Sequence, residues 1–148
     1  MRAIELAGPF PTVRMDTPAL AAARLLAGRD LPGLIVLDGA GRPAVILPGA
    51  EVLRLAIPSY CQDDPTLARA IDEAAADVFL RGVTDRTVAE CLPEKRRPVP
   101  LVPPDATVLE VASVMAGTHS PLVAVSDHGR PYLGAVTLDA LLDRMLGT

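Results

Sequence analysis

The pattern of apolar and polar positions in this 148-residue chain is written twice, the second copy about 89 residues after the first. In the first copy residues 12–15 read as a short strand. Thr17 then stands where a helix takes its cap, and Pro18 where a missing N–H costs nothing. Ala19, Ala22, Ala23 and Leu26 recur at i, i+3, i+4 and i+7, one apolar stripe of a helix, and Gly28 is expected to end it. Leu34-Ile35-Val36-Leu37 is an unbroken apolar run, as in a strand covered on both faces. Asp38-Gly39-Ala40-Gly41 predicts a turn, residues 44–47 the returning strand, and residues 49–55 a helix.

The second copy repeats this order. Residues 99–102 form a strand, and Asp105 or Thr107 caps a helix with the stripe Val108, Val111, Ala112 and Met115, ending at Gly117. Thr107 and Glu110 have the spacing of a capping box, in which each side chain satisfies a free backbone donor. Residues 122–125 are a buried strand, Asp127-His128-Gly129 a turn, and residues 132–136 the returning strand. Leu138, Leu141, Leu142 and Met145 stripe the last helix. The copies align at Asp16 with Asp105, Pro32 with Pro121, Val36 with Val125, and Asp38 with Asp127. A unit of this size, present twice, needs its neighbour to bury its apolar face. The cleft between two related halves is thus the expected seat of function.

The duplication does not account for the stretch between the copies. Asp64 and Pro65 open a predicted helix of about 16 residues, with Leu67, Ile71, Ala74 and Val78 as its stripe and an end near Arg81-Gly82. Its other face carries Arg69, Asp72, Glu73 and Asp77. The stripe predicts a helix packed on the rest of the chain, since it would otherwise be wet. A short helix at residues 87–92 precedes the second copy and echoes residues 4–7 before the first.

Composition adds limits. Half the residues are apolar, 3% are aromatic and none is Trp, so the core is aliphatic. The 15 Pro and 11 Gly fall singly at the ends of apolar runs and act as punctuation, not as signs of disorder. A net charge of −4 and a pI near 5.1 argue against a nucleic-acid surface. Lys95-Arg96-Arg97 reads as a solvated loop, with an anionic ligand as the sharper alternative. Cys61 and Cys91 make neither a CxxC motif nor a disulfide framework. No signal peptide is visible, and no apolar run approaches the roughly 20 residues of a membrane span. These features make a cytoplasmic protein the expectation.

Catalytic chemistry finds no pattern to rest on. The two histidines and two cysteines lack metal-ligand spacing. Gly39-Ala40-Gly41 has no third glycine and joins two strands instead of opening a helix. Ser59, Ser113, Ser120 and Ser126 lie in no nucleophile elbow, and neither histidine has an evident nucleophile partner. The expectation is a protein that is not an enzyme.

The order of elements, with PPDATVLEVASVM followed by SPLVAVSDHGRPYLGAVTLDALL, resembles a CBS (cystathionine beta-synthase) domain. DTPALAAARLLAGRDLPGLIVLDGAGRPAVILPGAEVLRL resembles a divergent second copy. The resemblance implies an α/β fold of two βαββα-type repeats related by a pseudo-twofold, with an inserted helix between them. Repeat one then covers residues 1–57, the insert 58–85, and repeat two 86–148. It also implies a stand-alone regulatory module that forms a homodimer, binds an adenosine-containing ligand (AMP, ADP, ATP or S-adenosylmethionine) and signals to an effector protein. The alternative is a ligand-free interaction and dimerisation module with degenerate clefts.

The family's ligand signature is Gly, two apolar residues, Thr or Ser, two more residues, then Asp. Gly134-Ala135-Val136-Thr137 matches it, but Ala140 fills the Asp slot and Asp139 comes one residue early. In repeat one the slots hold Pro48 and Glu51. Other family contacts map onto Pro98, Val99, Pro100, His119, Ser120 and Pro121, and in repeat one onto Asp30, Leu31 and Pro32. The ligand-binding candidates are therefore Pro98, Val99, Pro100, His119, Ser120, Pro121, Thr137 and Asp139, and weak binding in the repeat-two cleft is the expectation. Thr137 reads equally as a helix cap. Val52-Leu53 and Leu141-Leu142-Met145 offer more apolar surface than one small module covers, which supports the dimer.

Overall fold

A computed structural model describes every residue except Asp30, Glu73, Gly129, Arg130, Pro131 and Thr148. The expectations for Asp30, Glu73 and Gly129 lie outside the described residues. In chain order the elements are α1 (Ala3–Leu6), β1 (Thr12–Arg14), α2 (Ala19–Arg29), β2 (Gly33–Leu37), β3 (Pro43–Pro48), α3 (Glu51–Ala56) and α4 (Ser59–Asp63). A 3-10 helix (Pro65–Ala70) follows, then α5 (Ala75–Val83), α6 (Val88–Cys91), β4 (Arg97–Pro98), β5 (Leu101–Val102), α7 (Val108–Thr118), β6 (Leu122–Ser126), β7 (Tyr132–Thr137) and α8 (Leu138–Leu146). The strands form one sheet in the order β1-β2-β3-β4 and another in the order β5-β6-β7. No helix among the described residues is long and apolar enough to cross a membrane.

Two compact units interleave along the chain. Unit 1 comprises Met1–Thr12, Leu37–Val45 and Arg97–Thr148, and unit 2 comprises Val13–Val36 and Ile46–Arg96. In unit 1, β6 is buried throughout and pairs in parallel with β5 and antiparallel with β7. Its core gathers Ala3, Val102, Val111, Met115, Val123, Val136 and Leu141. Each fully buried Val or Leu there contributes roughly 1.5–3 kcal/mol. Unit 2 buries Ala19 and Ala22 of α2, Leu34, Ile35 and Val36 of β2, and Val88 of α6.

The short helix at the start of the chain is packed with the second copy, and α6 with the first. Ala3 N–H donates to the Ala106 carbonyl at 2.8 Å, and Ile4 N–H to that of Pro104 at 3.0 Å. In unit 2, Val88 N–H donates to Thr17 at 2.8 Å and Ala89 N–H to Met15 at 3.0 Å. The acceptors stand 89 residues apart and the donors 85. The same two bonds are thus made twice, by leading helices exchanged between the copies.

Four expectations change. The strand expected at residues 99–102 is divided between the sheets: Val99 N–H donates to the Ala44 carbonyl at 3.1 Å, whereas the Pro100 carbonyl accepts from Ala124 at 2.9 Å. Pro98 and Pro100 have no N–H to continue a ladder, so the chain changes partners there. α2 and α7 run past Gly28 and Gly117. His119, left-handed at φ 54°, ends α7, with its N–H on the Met115 carbonyl. That closure needs one left-handed residue, which is usually but not always Gly. The Thr17 hydroxyl accepts from Arg14 N–H at 2.9 Å, back toward β1.

The fourth change concerns the stretch between the copies. The expected single helix is the 3-10 helix and α5, separated by extended backbone at Ile71 and Ala74. Asp64 does cap it, accepting from Thr66 N–H at 3.2 Å. Leu67 is exposed and Ile71 only half-buried, whereas Val83 is fully buried. α5 instead crosses α3 so closely that a Cβ at Gly82 would lie 2.3 Å from the Ala56 Cα. This tertiary contact sets the axis of α5 and overrides the local stripe.

Residues ahead of β1 clip onto the free edge of β7. Gly8 and Ala135 exchange N–H···O bonds of 3.0 and 3.2 Å. Gly134 has φ 151°, and a Cβ there would lie 3.1 Å from the Gly8 carbonyl oxygen, so only glycine fits. The Tyr132 hydroxyl donates to the Phe10 carbonyl at 3.0 Å. Burial pushes the Tyr132 phenol up from 10.0 to about 12. A raised folded-state pKa gives stability that is complete below the unfolded value and is lost as pH rises through the folded one. Tyr132→Phe should therefore cost about 1 kcal/mol at neutral pH. The gap from wild type should shrink as the pH rises above about 10, which urea melts at stepped pH will read.

Candidate ligand site

Of the candidate residues in unit 1, Ser120, Pro121 and Thr137 fall at one end of the β5-β6-β7 sheet. Leu122 at the start of β6 faces Thr137 at the end of β7. Leu138 N–H, opening α8, donates to the Pro121 carbonyl at 2.9 Å. Unit 2 makes the same bond between Gly49 N–H and the Pro32 carbonyl, at 3.0 Å. Both partners stand 89 residues earlier. The strand-to-helix junction is thus a feature of the repeat, with the turn before the buried strand hydrogen-bonded to it.

The junction differs in chemistry between the units. The Thr137 hydroxyl accepts from Ala140 N–H at 3.2 Å and caps α8. This satisfies one of the four N–H groups a helix start leaves free. α3 has no side-chain cap: its N-cap is Ala50, and Pro48 holds the place of Thr137. Ser120 is occupied locally: its hydroxyl donates to the Leu122 carbonyl at 2.7 Å and accepts from Leu122 N–H at 3.4 Å. Asp139 is exposed in the first turn of α8, where a carboxylate favours the helix dipole.

The other candidates approach from β5. Leu101 pairs with Ala124, and Pro100 is tied to the same residue through its carbonyl. Val99 and Pro100 therefore flank the β6 end that carries Ser120 and Pro121. Val99 is buried and Pro98 exposed. His119 is exposed in its left-handed position. In unit 2, Leu31 is half-buried and Pro32 exposed.

A groove of about 480 Å³ runs between α7 and α8. His119, Ser120 and Pro121 line one end of it, and Met115, Leu138 and Met145 supply its apolar walls. Thr137, Asp139, Pro98, Val99 and Pro100 do not line it. The candidates thus divide between the sheet end and this groove, with the turn at Ser120-Pro121 common to both. Leu142 is 43% and Met145 52% exposed, so of the α8 stripe only Leu141 is core. Sequence reading missed Met115 and Leu138 as lining residues. The available signal was a stripe wider than one small core requires. Among the described residues, no three His, Cys, Asp or Glu side chains gather as a metal site.

Comparison with known proteins bears on this arrangement. The family model for the CBS domain matches residues 88–147. A CBS domain-containing protein of unknown function from Kribbella flavida is 44% identical, over 99% of this chain and 99% of its own, with a TM-score of 0.91. CBSX2 in complex with AMP is 16% identical over 99% of this chain and 97% of its own, with a TM-score of 0.67; CBSX2 has been solved from Arabidopsis thaliana. The CBS domain of a bacterial CNNM/CorC family Mg2+ transporter in complex with ATP is 14% identical over 97% of this chain and 86% of its own, with a TM-score of 0.64. At these lower identities the likeness is one of fold. No curated protein is significantly similar to the chain.

Losing the Thr137 cap has a cost that is independent of any ligand. Thr137→Val should lower stability by about 1 kcal/mol, and Thr137→Ser by much less, as read from thermal melts without additives.

Proposed function

The chain belongs to the CBS-domain family, and on that premise we propose that it is a regulatory module that takes an adenosine-containing ligand weakly in unit 1. The contacts in this reading are Pro98, Val99 and Pro100 on one side, His119, Ser120 and Pro121 on another, and Thr137 with Asp139 at the start of α8. The observation that carries it is the Leu138–Pro121 hydrogen bond. It sets a threonine-headed helix start beside the turn before β6, and helix starts attract anions through free N–H groups and the dipole. That AMP and ATP are held by proteins of the same fold supports an adenosine nucleotide as occupant; ADP is of that class, and S-adenosylmethionine shares its adenosine. In this reading the module is not an enzyme. It acts in the cytoplasm, pairs as a homodimer and passes the bound state to a partner protein.

Weak binding follows from Ala140, which offers no carboxylate to a ribose. A hydrogen bond to a charged group contributes roughly 1.5–3 kcal/mol, so its absence weakens binding about ten- to a hundredfold. A second reading, a ligand-free interaction module, draws support from the Thr137 hydroxyl's existing bond to Ala140 and from the groove's apolar lining.

Millimolar AMP should raise the melting temperature of the wild type. Thr137→Val should abolish that ligand-induced shift, while Pro48→Ala should leave it nearly unchanged. An equal shift after Thr137→Val would place the ligand elsewhere. No shift with AMP, ADP, ATP or S-adenosylmethionine would favour the second reading.

The exposed Leu138, Leu142 and Met145 beside the groove support a dimer, since patches of this kind mark interaction sites. Light scattering at micromolar concentration should report about twice the 15.5 kDa chain mass, and Leu142→Glu should return the monomer. A wild type that scatters as a monomer would overturn the dimer.

A further inference from the structure

The two leading helices are docked by the same pair of hydrogen bonds but are held at their far ends by different means. In unit 1 the residue after the C-cap of α1 is Gly8, which exchanges two backbone bonds with Ala135 on β7. The residue 85 positions on is Pro93. Proline has no N–H, so that two-way exchange cannot be made in unit 2.

A side chain stands in its place. Arg54 in α3 donates through Nη2 to the carbonyls of Cys91 at 2.8 Å and Leu92 at 3.0 Å. These are the carbonyls of the last residue of α6 and of its C-cap, left free by the helix end. Its Nε donates to Glu51 Oε2 at 2.8 Å, one turn earlier on α3. Arg54 is partly exposed, so the ion pair contributes little by itself; it aims the guanidinium fork at the two carbonyls. Gln62 of α4 donates to the carbonyls of Arg54 at 3.2 Å and Ile57 at 2.7 Å and holds the end of α3 from behind. Glu51, Arg54 and Gln62 also line a pocket of about 270 Å³, and their polar groups are already engaged within the protein. The position 89 residues after Arg54 is Asp143, an acceptor with no N–H to offer a carbonyl.

We propose that Arg54 is an internal latch that closes α6 onto α3 in unit 2, replacing with a guanidinium the backbone pairing that Gly8 provides in unit 1. Unit 2 is thereby held shut by its own side chains, with no bound ligand. Glu51 is occupied as the latch's guide. The inference goes beyond the ligand reading of unit 1 and does not depend on it.

Cys91 reports the state of the latch. Its side chain is fully buried in α6, and burial pushes its thiol up, so the closed form resists alkylation. Iodoacetamide labelling of the native chain, resolved by peptide mass spectrometry, reads Cys91 and Cys61 separately, with no ligand present. Arg54→Gln should speed labelling of Cys91 by about tenfold and leave Cys61, buried in α4, close to its wild-type rate. Arg54→Lys keeps the charge but lacks the planar fork, and should speed Cys91 by about threefold. If Arg54→Gln does not fold, Arg54→Lys decides alone. An unchanged Cys91 rate in the folded variants, or equal acceleration at both cysteines, would overturn the latch.

Discussion

Strand β6 has no exposed residue, and β2 is buried from Gly33 to Val36. A strand of this kind must be covered on both faces, and one helix-strand-strand-helix repeat does not supply enough cover. Each copy therefore receives its leading helix from the other part of the chain. Ala3 and Val88, both fully buried, are the residues those helices bring. Their backbone donors are taken by the turn just ahead of α7 or α2, so the helix adds apolar cover without leaving an unpaired N–H inside. Much of the interleaving of the two units follows from this need.

Within that shared frame the copies have diverged where chemistry is set. The junction bond from Leu138 N–H to the Pro121 carbonyl has its counterpart from Gly49 N–H to the Pro32 carbonyl, so the geometry of the strand-to-helix turn is preserved. What stands on it is not. Thr137 provides a hydroxyl and a helix cap, whereas Pro48 provides neither. Glu51 provides a carboxylate, but it is paired with Arg54, whereas Ala140 provides none. Unit 1 thus has a polar helix start beside a turn, and unit 2 a charge network closed on itself. In the proposed function the responsive half is therefore unit 1.

The Ser120-Pro121 turn belongs both to the end of the sheet and to the groove between α7 and α8. In the proposed function, occupancy of either region acts on the same backbone, because Pro121 is bonded to the first residue of α8. Ligand binding and pairing of copies then become coupled equilibria, and coupling of that kind is reciprocal.

The amino-acid pattern by itself determined the duplication, the buried strands at residues 34–37 and 122–125, and the stripes of α2 and α7; it left the α7 cap to Asp105 or Thr107, and the cap is Thr107, whose hydroxyl takes Glu110 N–H at 3.1 Å. These are local: side-chain periodicity and a cap within four residues decide them. The family resemblance, and with it the position of the strand-to-helix turn at Thr137, was legible for the same reason. Tertiary structure alone decided which copy each leading helix covers, because α1 and α6 are too short to carry a pattern of their own. It also decided the break between the 3-10 helix and α5, where Gly82 must meet Ala56 more closely than a helical stripe can foretell. It placed Arg54 on the carbonyls of Cys91 and Leu92, since a contact across 37 residues leaves no periodicity to read. The exposure of Leu142 and Met145 belongs with these. An apolar stripe says that a face is to be covered, and only the packed chain shows how much of it is left for another molecule.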